Sequence, residues 1–160
     1  MKQLQTNIER LGEWIDLYQE QLYRYAFFRL GNRDDAEDVL QDAFLKVAAS
    51  TIAINNPKAY LYWAVASGCV DMLRSRGKVL PIDEKSITLA QTNSTIAEEE
   101  FQRIDSLLRK LPDQQSEVIR LHIHGEMKFT EIAEMMDSPV TTIKSRFASG
   151  IERLKQLFIN

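Results

Sequence analysis

Thr141, Thr142, Lys144, Ser145 and Arg146 crowd hydroxyls and cations into the first two turns of a helical pattern that begins at Val140. These are the side chains that bond base edges and phosphate oxygens. A merely solvated helix would more often alternate Glu and Lys there, so contact with duplex DNA is the chemistry the face fits best. The opposite side of the same helix supports that reading. Val140, Ile143, Phe147, Ile151 and Leu154 recur at spacings of three and four, which makes one inward stripe. Just before it, Asp137-Ser138-Pro139 joins a shorter helix to this longer one in the manner of a helix-turn-helix. Ser138 offers a cap there, and Pro139 is suited to open the second helix.

Other reactive side chains do not assemble into a catalytic pattern. His122 and His124, with Glu126 close by, suggest a metal site only until their spacing is considered. Helical residues two apart point about 200° apart, whereas a ligand pair needs i and i+4. The two histidines are expected at the surface of a helix end. Cys69 is the single cysteine; it excludes an internal disulfide or a multi-cysteine zinc site and reads as a small buried thiol. No glycine-rich phosphate loop or nucleophile motif occurs. The expectation is therefore a protein without catalysis, cofactor or metal.

The 160 residues carry a net charge of −3, with 44% apolar and 27% charged side chains, ordinary for a soluble globular protein. A net negative chain is no general nucleic-acid binder. Its charge is uneven, however. From Ser138 onward four cations face Glu152 alone, and Arg74, Arg76 and Lys78 form a second basic cluster. Acids gather at Asp34, Asp35, Glu37, Asp38 and Asp42, and again at Glu98 to Glu100. Such a molecule is expected to bind DNA weakly alone and well with a partner's help. Neither a membrane-spanning run nor a signal-peptide core is present, so a cytoplasmic location is expected.

Periodicity and turn residues divide the chain into helices only. The first is expected from about Ile8 to Leu30, with Leu11, Ile15, Tyr18, Leu22, Tyr25 and Phe28 inward and Gly31-Asn32 ending it. Asp34 is expected to cap the second, with Glu37 completing a capping-box-like pair. That helix runs to about Ala49 and turns Ala36, Val39, Leu40, Ala43, Phe44 and Val47 inward. Its opposite face holds Glu37, Asp38, Gln41 and Asp42 around Leu45. A lone exposed leucine usually means nothing, but ringed by polar groups it also fits the centre of a docking patch. Residues 50–55 read as a loop, and Asn56-Pro57 starts a third helix reaching about Arg76. Its first half is apolar all round. Tyr60 and Trp63 suit either core packing or stacking on unpaired bases. Residues 77–95 read as a connecting segment, after which helical pattern returns at about Ile96. The fold expected is all-α: two small helical domains, 1–76 and 96–160, joined by a flexible link, the second a helix-turn-helix.

Three segments together resemble the extracytoplasmic-function group of the sigma-70 family of bacterial RNA polymerase sigma factors. They are DDAEDVLQDAFLKV from Asp34 to Val47, NPKAYLYW from Asn56 to Trp63 with DMLR from Asp71 to Arg74, and Leu111 through Leu157. The resemblance covers most of the chain apart from the link and the extreme N-terminus. It implies a factor that gives core polymerase its promoter choice. Asp38, Gln41, Asp42 and Leu45 would meet the clamp helices of the polymerase's largest subunit. The −10 element would be met by Asn55, Asn56, Tyr60, Trp63, Ser67, Asp71, Arg74 and Arg76, with residues 50–56 holding a flipped base. Asn56 is equally explained as a helix cap. The −35 element would be read by Thr141, Thr142, Lys144, Ser145, Arg146 and Ser149. Further implied partners are the polymerase flap and an anti-sigma factor.

This chain departs from the family where Trp63 and Ala66 replace frequent arginines and Ser67 an asparagine. Ser149 and Ile151 likewise stand where cations are common. Each lost phosphate contact weakens binding, so neither strong autonomous promoter binding nor efficient promoter melting is expected. Two other readings remain open from the residues alone. One is a helix-turn-helix regulator that binds duplex DNA by itself, commonly as a symmetric dimer. The other is a degenerate sigma-like protein that docks on polymerase without starting transcription.

Overall fold

The computed structural model describes residues 2–78 and 96–159, and every regular element among them is a helix. The connecting segment expected over 77–95 lies almost wholly outside the described residues. Helix α1 (Lys2–Leu30) begins earlier than the apolar pattern suggested. It stops at Gly31, whose φ of +75° few other residues adopt and against which the Phe101 ring packs too closely for any Cβ.

Asn32, not Asp34, caps α2 (Arg33–Ala49). Its side chain accepts from the Asp35 amide at 3.0 Å. Asp34 and Asp35 instead lie in the first turn, where their charges complement the helix dipole, and Glu37 pairs with Arg33 at 3.3 Å. The boundary shift arises because an asparagine after a left-handed glycine already supplies the cap that the sequence pattern assigned to Asp34. Helix α3 (Pro57–Lys78) opens on its proline, with the Asn56 side chain accepting from the Ala59 amide at 3.1 Å.

The C-terminal half comprises α4 (Ile96–Leu108), α5 (Asp113–Ile119), α6 (Phe129–Met135) and α7 (Val140–Ile159). One π-helical turn, Arg120–His124, extends α5. Between α6 and α7, Asp137 takes a left-handed φ of 49°. The Pro139 carbonyl accepts from the amides of Thr142 and Ile143, so Pro139 occupies the capping position before α7. Ser138 does not cap as expected; its hydroxyl donates to the Met136 carbonyl at 3.1 Å.

Apolar spacing explains the packing. Leu22, Tyr25, Ala26 and Leu30 of α1, Val39, Leu40, Ala43 and Val47 of α2, and Leu61, Val65 and Cys69 of α3 are buried together. A fully buried Leu or Val contributes on the order of 1.5–3 kcal/mol. The same cluster continues without a break into Val118, Leu121, Met127, Ile132 and Ile143 of the C-terminal half. Leu108, Leu111 and Ile119 form a smaller cluster beneath α7. Burial pushes the Cys69 thiol up to about 12, in keeping with the inert thiol expected.

Polar groups stitch the two halves together. Tyr25 donates its hydroxyl hydrogen to the Glu117 carboxylate, and Arg29 Nε lies 3.6 Å from the same group. Tyr62 donates to the Gly125 carbonyl, where a Cβ on residue 125 would meet the tyrosine ring at 2.9 Å. Lys58 pairs with Glu131 at 3.0 Å and Arg24 with Glu126 at 3.3 Å. Phe28 stacks on His124 at 4.0 Å between centroids.

The histidines are not the surface groups expected. The π-turn carries His124 into the interface with α1, 9% exposed. His122 turns the other way, stacking on Phe129 at 4.2 Å and meeting Phe147 edge-on. Burial, reinforced by Arg120 and Arg24, lowers the His124 pKa from 6.5 to about 4. The folded protein therefore holds His124 neutral, while the unfolded chain takes up a proton below about pH 6.5. Stability from this site is present above that pH and is lost as pH falls towards 4. The urea midpoint of the wild type should drop more steeply across this window than that of His124→Gln. Parallel pH profiles for the two proteins would refute the contribution.

Candidate functional site

Three exposed faces carry the side chains singled out by sequence. The first lies on α2. Burying Ala36, Val39, Leu40, Ala43 and Val47 forces Asp38, Gln41, Asp42 and Leu45 outward on the opposite side. Leu45 is 67% exposed, an apolar centre inside a carboxylate and amide rim. A groove of about 460 Å³ between α2 and α3 brings these four residues together with Asp71. A surface apolar at its centre and anionic at its edge suits a partner helix with cationic flanks.

The second face surrounds the α2–α3 loop and α3. Asn55 is exposed, while Asn56 is half-buried and spends its side-chain oxygen on the helix cap. Trp63 is 54% exposed with Tyr60 beside it, ring centroids 6.2 Å apart. Their neighbours Leu61, Tyr62, Ala64 and Val65 are buried. The apolar run of α3 is thus mostly core, and Trp63 is the residue of Ala59–Ala66 left in the open. Ser67 is half-buried, and Asp71 and Arg74 are exposed. Arg76 is occupied: one Nη donates to the Leu30 carbonyl at 2.8 Å and the other pairs with Asp35. It ties α3 to the α1–α2 corner, so its outward-facing capacity is smaller than its place in a basic cluster suggested.

The third face is the start of α7. Ile143 is fully buried, with Val140, Phe147, Ile151 and Leu154 half-buried beside it. That stripe leaves Thr141, Lys144, Ser145 and Ser149 exposed and Thr142 and Arg146 half-exposed. The aromatic contacts His122–Phe129–Phe147 fix α7 against α6. Hydroxyls and cations are thereby presented on a rigid rod, the geometry by which a recognition helix enters a major groove. The three faces do not converge on one cavity, although Asp71 of the second also lines the α2–α3 groove of the first. Among the described residues no group of three or more His, Cys, Asp and Glu side chains is placed to hold a metal ion. None of the described helices is long and apolar enough to cross a membrane.

Asn7 escaped the sequence reading. It is 1% exposed and donates from Nδ2 to the carbonyls of Ser50 and Ile52, at 2.8 and 3.2 Å. Its signal was faint: a polar residue four positions before Leu11 on the inward stripe of α1. The pairing partner lies more than 40 residues away, which no local pattern reveals.

Comparison with known proteins places this geometry. Residues 14–79 match the family model for sigma-70 region 2, and residues 101–154 match that for sigma-70 region 4. The RNA polymerase sigma factor SigV of Bacillus subtilis is 27% identical, across 97% of this chain and 95% of its own length. The ECF RNA polymerase sigma factor SigW of the same organism is 26% identical, across 92% and 88%. Among solved structures, CnrH in complex with the cytosolic domain of CnrY has a TM-score of 0.72 at 21% identity, covering 98% of this chain and 92% of that one. The sigma factor RpoE of Bartonella quintana, solved with the anti-sigma factor NepR, has a TM-score of 0.66 at 23% identity, covering 94% and 98%. At these identities the structures share the fold.

The contrast between neighbouring arginines is testable. Arg76→Ala should lower unfolding free energy by about 1 kcal/mol through its lost hydrogen bond and ion pair. Arg74→Ala should leave stability within about 0.5 kcal/mol of wild type. Urea titration distinguishes them, and equal stability losses would remove the structural role of Arg76.

Proposed function

Because the chain belongs to the extracytoplasmic-function group of the sigma-70 family and is a promoter-directing sigma factor, we propose a division of labour between its halves. Residues 1–76 dock on core RNA polymerase and hold the −10 element, residues 77–95 connect, and residues 96–160 anchor the −35 duplex. The observation that carries this reading is the outward set on α2, Asp38, Gln41, Asp42 and Leu45, held rigidly by the buried face beneath it.

Each role follows from the chemistry of its face. Leu45 supplies desolvated contact area on the clamp helices of the largest polymerase subunit, and its acidic rim steers cationic partner groups. The second domain also reaches the polymerase flap. Asn55, with the backbone of the 50–56 loop, receives an extruded base of the −10 strand. Flipping exposes a pairing edge at a cost of a few kcal/mol. Trp63 and Tyr60 offer stacking surfaces for the unpaired strand, and Arg74 offers a phosphate contact. Asn56, Ser67, Asp71 and Arg76 border that strand, Asn56 and Arg76 chiefly as structural supports. On α7, Thr141, Thr142, Lys144, Ser145, Arg146 and Ser149 read the −35 duplex.

The protein works where polymerase works, in the cytoplasm, and adds no catalysis of its own. Anti-sigma control of this chain is supported by the fold it shares with RpoE, solved with the anti-sigma factor NepR. Such a regulator covers one or both domains. With Trp63 and Ala66 standing where arginines are frequent, melting at that part of α3 depends on stacking more than on phosphate charge.

In vitro transcription from a genomic fragment pool, with core polymerase plus or minus this protein, tests the whole reading. New start sites sharing paired upstream motifs are the expected result. Binding to core without new starts would leave a sigma-like protein that docks and does not initiate. Duplex binding by the free protein without core binding would leave an ordinary regulator. At residue level, Leu45→Arg should abolish co-purification with core while keeping the wild-type helical signal; unchanged affinity would sink the docking assignment. Arg146→Ala should weaken footprint protection of the −35 region by the holoenzyme about tenfold, the worth of one good contact. Unaltered protection would remove that role.

A further inference from the structure

Asn7 sits inside the N-terminal part of α1, ahead of the residues that match the region 2 family model. Asparagine is a mediocre helix former, and burying an amide is costly unless its hydrogens are satisfied. Here the carboxamide nitrogen serves two carbonyls of one loop, those of Ser50 at 2.8 Å and Ile52 at 3.2 Å. The loop is held at further points. The Ile52 amide donates to Ser50 Oγ at 3.3 Å, Ile54 packs against the core, and Asn56 caps α3. Between these anchors Thr51, Ile52, Ala53 and Asn55 stand exposed, Ile52 by 72%. A segment without regular secondary structure is thus fixed in one backbone path with its side chains free to meet a ligand.

We infer that Asn7 is a positioning residue for base selection: its carboxamide sets the backbone of Ser50–Ile52, and hence the shape of the loop that receives the extruded −10 base. The inference rests on the proposed role of that loop. Preorganisation is what separates a selective loop from a merely permissive one, because a loop already in its bound path loses little further freedom on binding. Without the amide, the Ser50 and Ile52 carbonyls turn to water and the loop samples several paths. Each path accommodates a different base, so preference is lost before docking is.

The test uses the full chain assembled with core polymerase. Its probe is a single-stranded oligonucleotide carrying the −10 sequence found by transcription, and three more carrying each other base at the most discriminated position. Asn7→Ala should bind core with wild-type affinity while the ratio between best and worst base falls about tenfold, as expected for two lost hydrogen bonds. Asn7→Gln, which keeps the donor on a longer stem, should recover part of that ratio. If Asn7→Ala loses helical signal by circular dichroism, Asn7→Gln carries the comparison by itself, its ratio falling between wild type and none. A uniform loss of affinity for all four oligonucleotides would mark Asn7 as structural and overturn the inference. Asn55→Ala separates the two layers. Should it flatten base preference while Asn7 variants keep it, positioning fails and the loop assignment stands. Should neither variant alter preference, the loop assignment fails as well.

Discussion

A carboxylate shared by one phenol and two guanidinium groups decides how the halves of this molecule meet. Glu117 accepts from Tyr25 and lies 3.6 Å from Arg29 and 4.0 Å from Arg120, a side chain only 5% exposed. Ion pairs taken out of water are poor sources of net stability, yet removing one partner strands the others at a cost of about 3–5 kcal/mol. The cluster therefore specifies more than it stabilises. Tyr25, Arg29 and Arg120 converge on this one carboxylate and give the contact between α5 and α1 a direction that the surrounding Leu22, Val118 and Leu121 do not. The shifted ionisation reflects the same crowding. Burial raises the Tyr25 hydroxyl, with Glu117 adding to the effect, and burial lowers Arg120 with Arg29 close by. The π-turn belongs to this arrangement, since it brings Arg120 and His124 to one buried side.

What the chain reveals by itself follows from the range of its interactions. Spacings of three and four among Ala36, Val39, Leu40, Ala43 and Val47 state which side of α2 is buried, and so which side holds Leu45. The same logic gave α7 its stripe and its exposed hydroxyls. Turn residues located the corners at Gly31 and Pro139. The cap details slipped by a residue or two, because Asn32, Asp34 and Ser138 are all competent caps and only the backbone path chooses among them. Pairings across the chain were not legible. Nothing near Arg76 announces that its guanidinium serves Leu30 and Asp35, and nothing near His124 announces Phe28. Asn7 belongs to the same class, being a local oddity whose reason lies in another loop.

The third helix illustrates how two readings divide a single segment. Its apolar first half suited both a buried core and an aromatic platform. The structure splits it by angle: Leu61, Tyr62, Ala64 and Val65 are enclosed, and Trp63 turns out. Tyr62 in turn reaches Gly125 of the C-terminal half. The segment proposed to hold the −10 strand therefore also touches the domain proposed to hold the −35 duplex.

That contact bears on reach. Elements centred near −10 and −35 are about 25 base pairs apart, roughly 85 Å along a duplex at about 3.4 Å per pair. A compact chain of this length has a radius of gyration of about 15 Å. If each half grips the element proposed for it, the packed arrangement is too short to span both. Straddling a promoter then means parting Tyr62 from Gly125 and Glu117 from Tyr25 and Arg29. The described arrangement is the compact one, and gripping both elements at once requires these contacts between the halves to open.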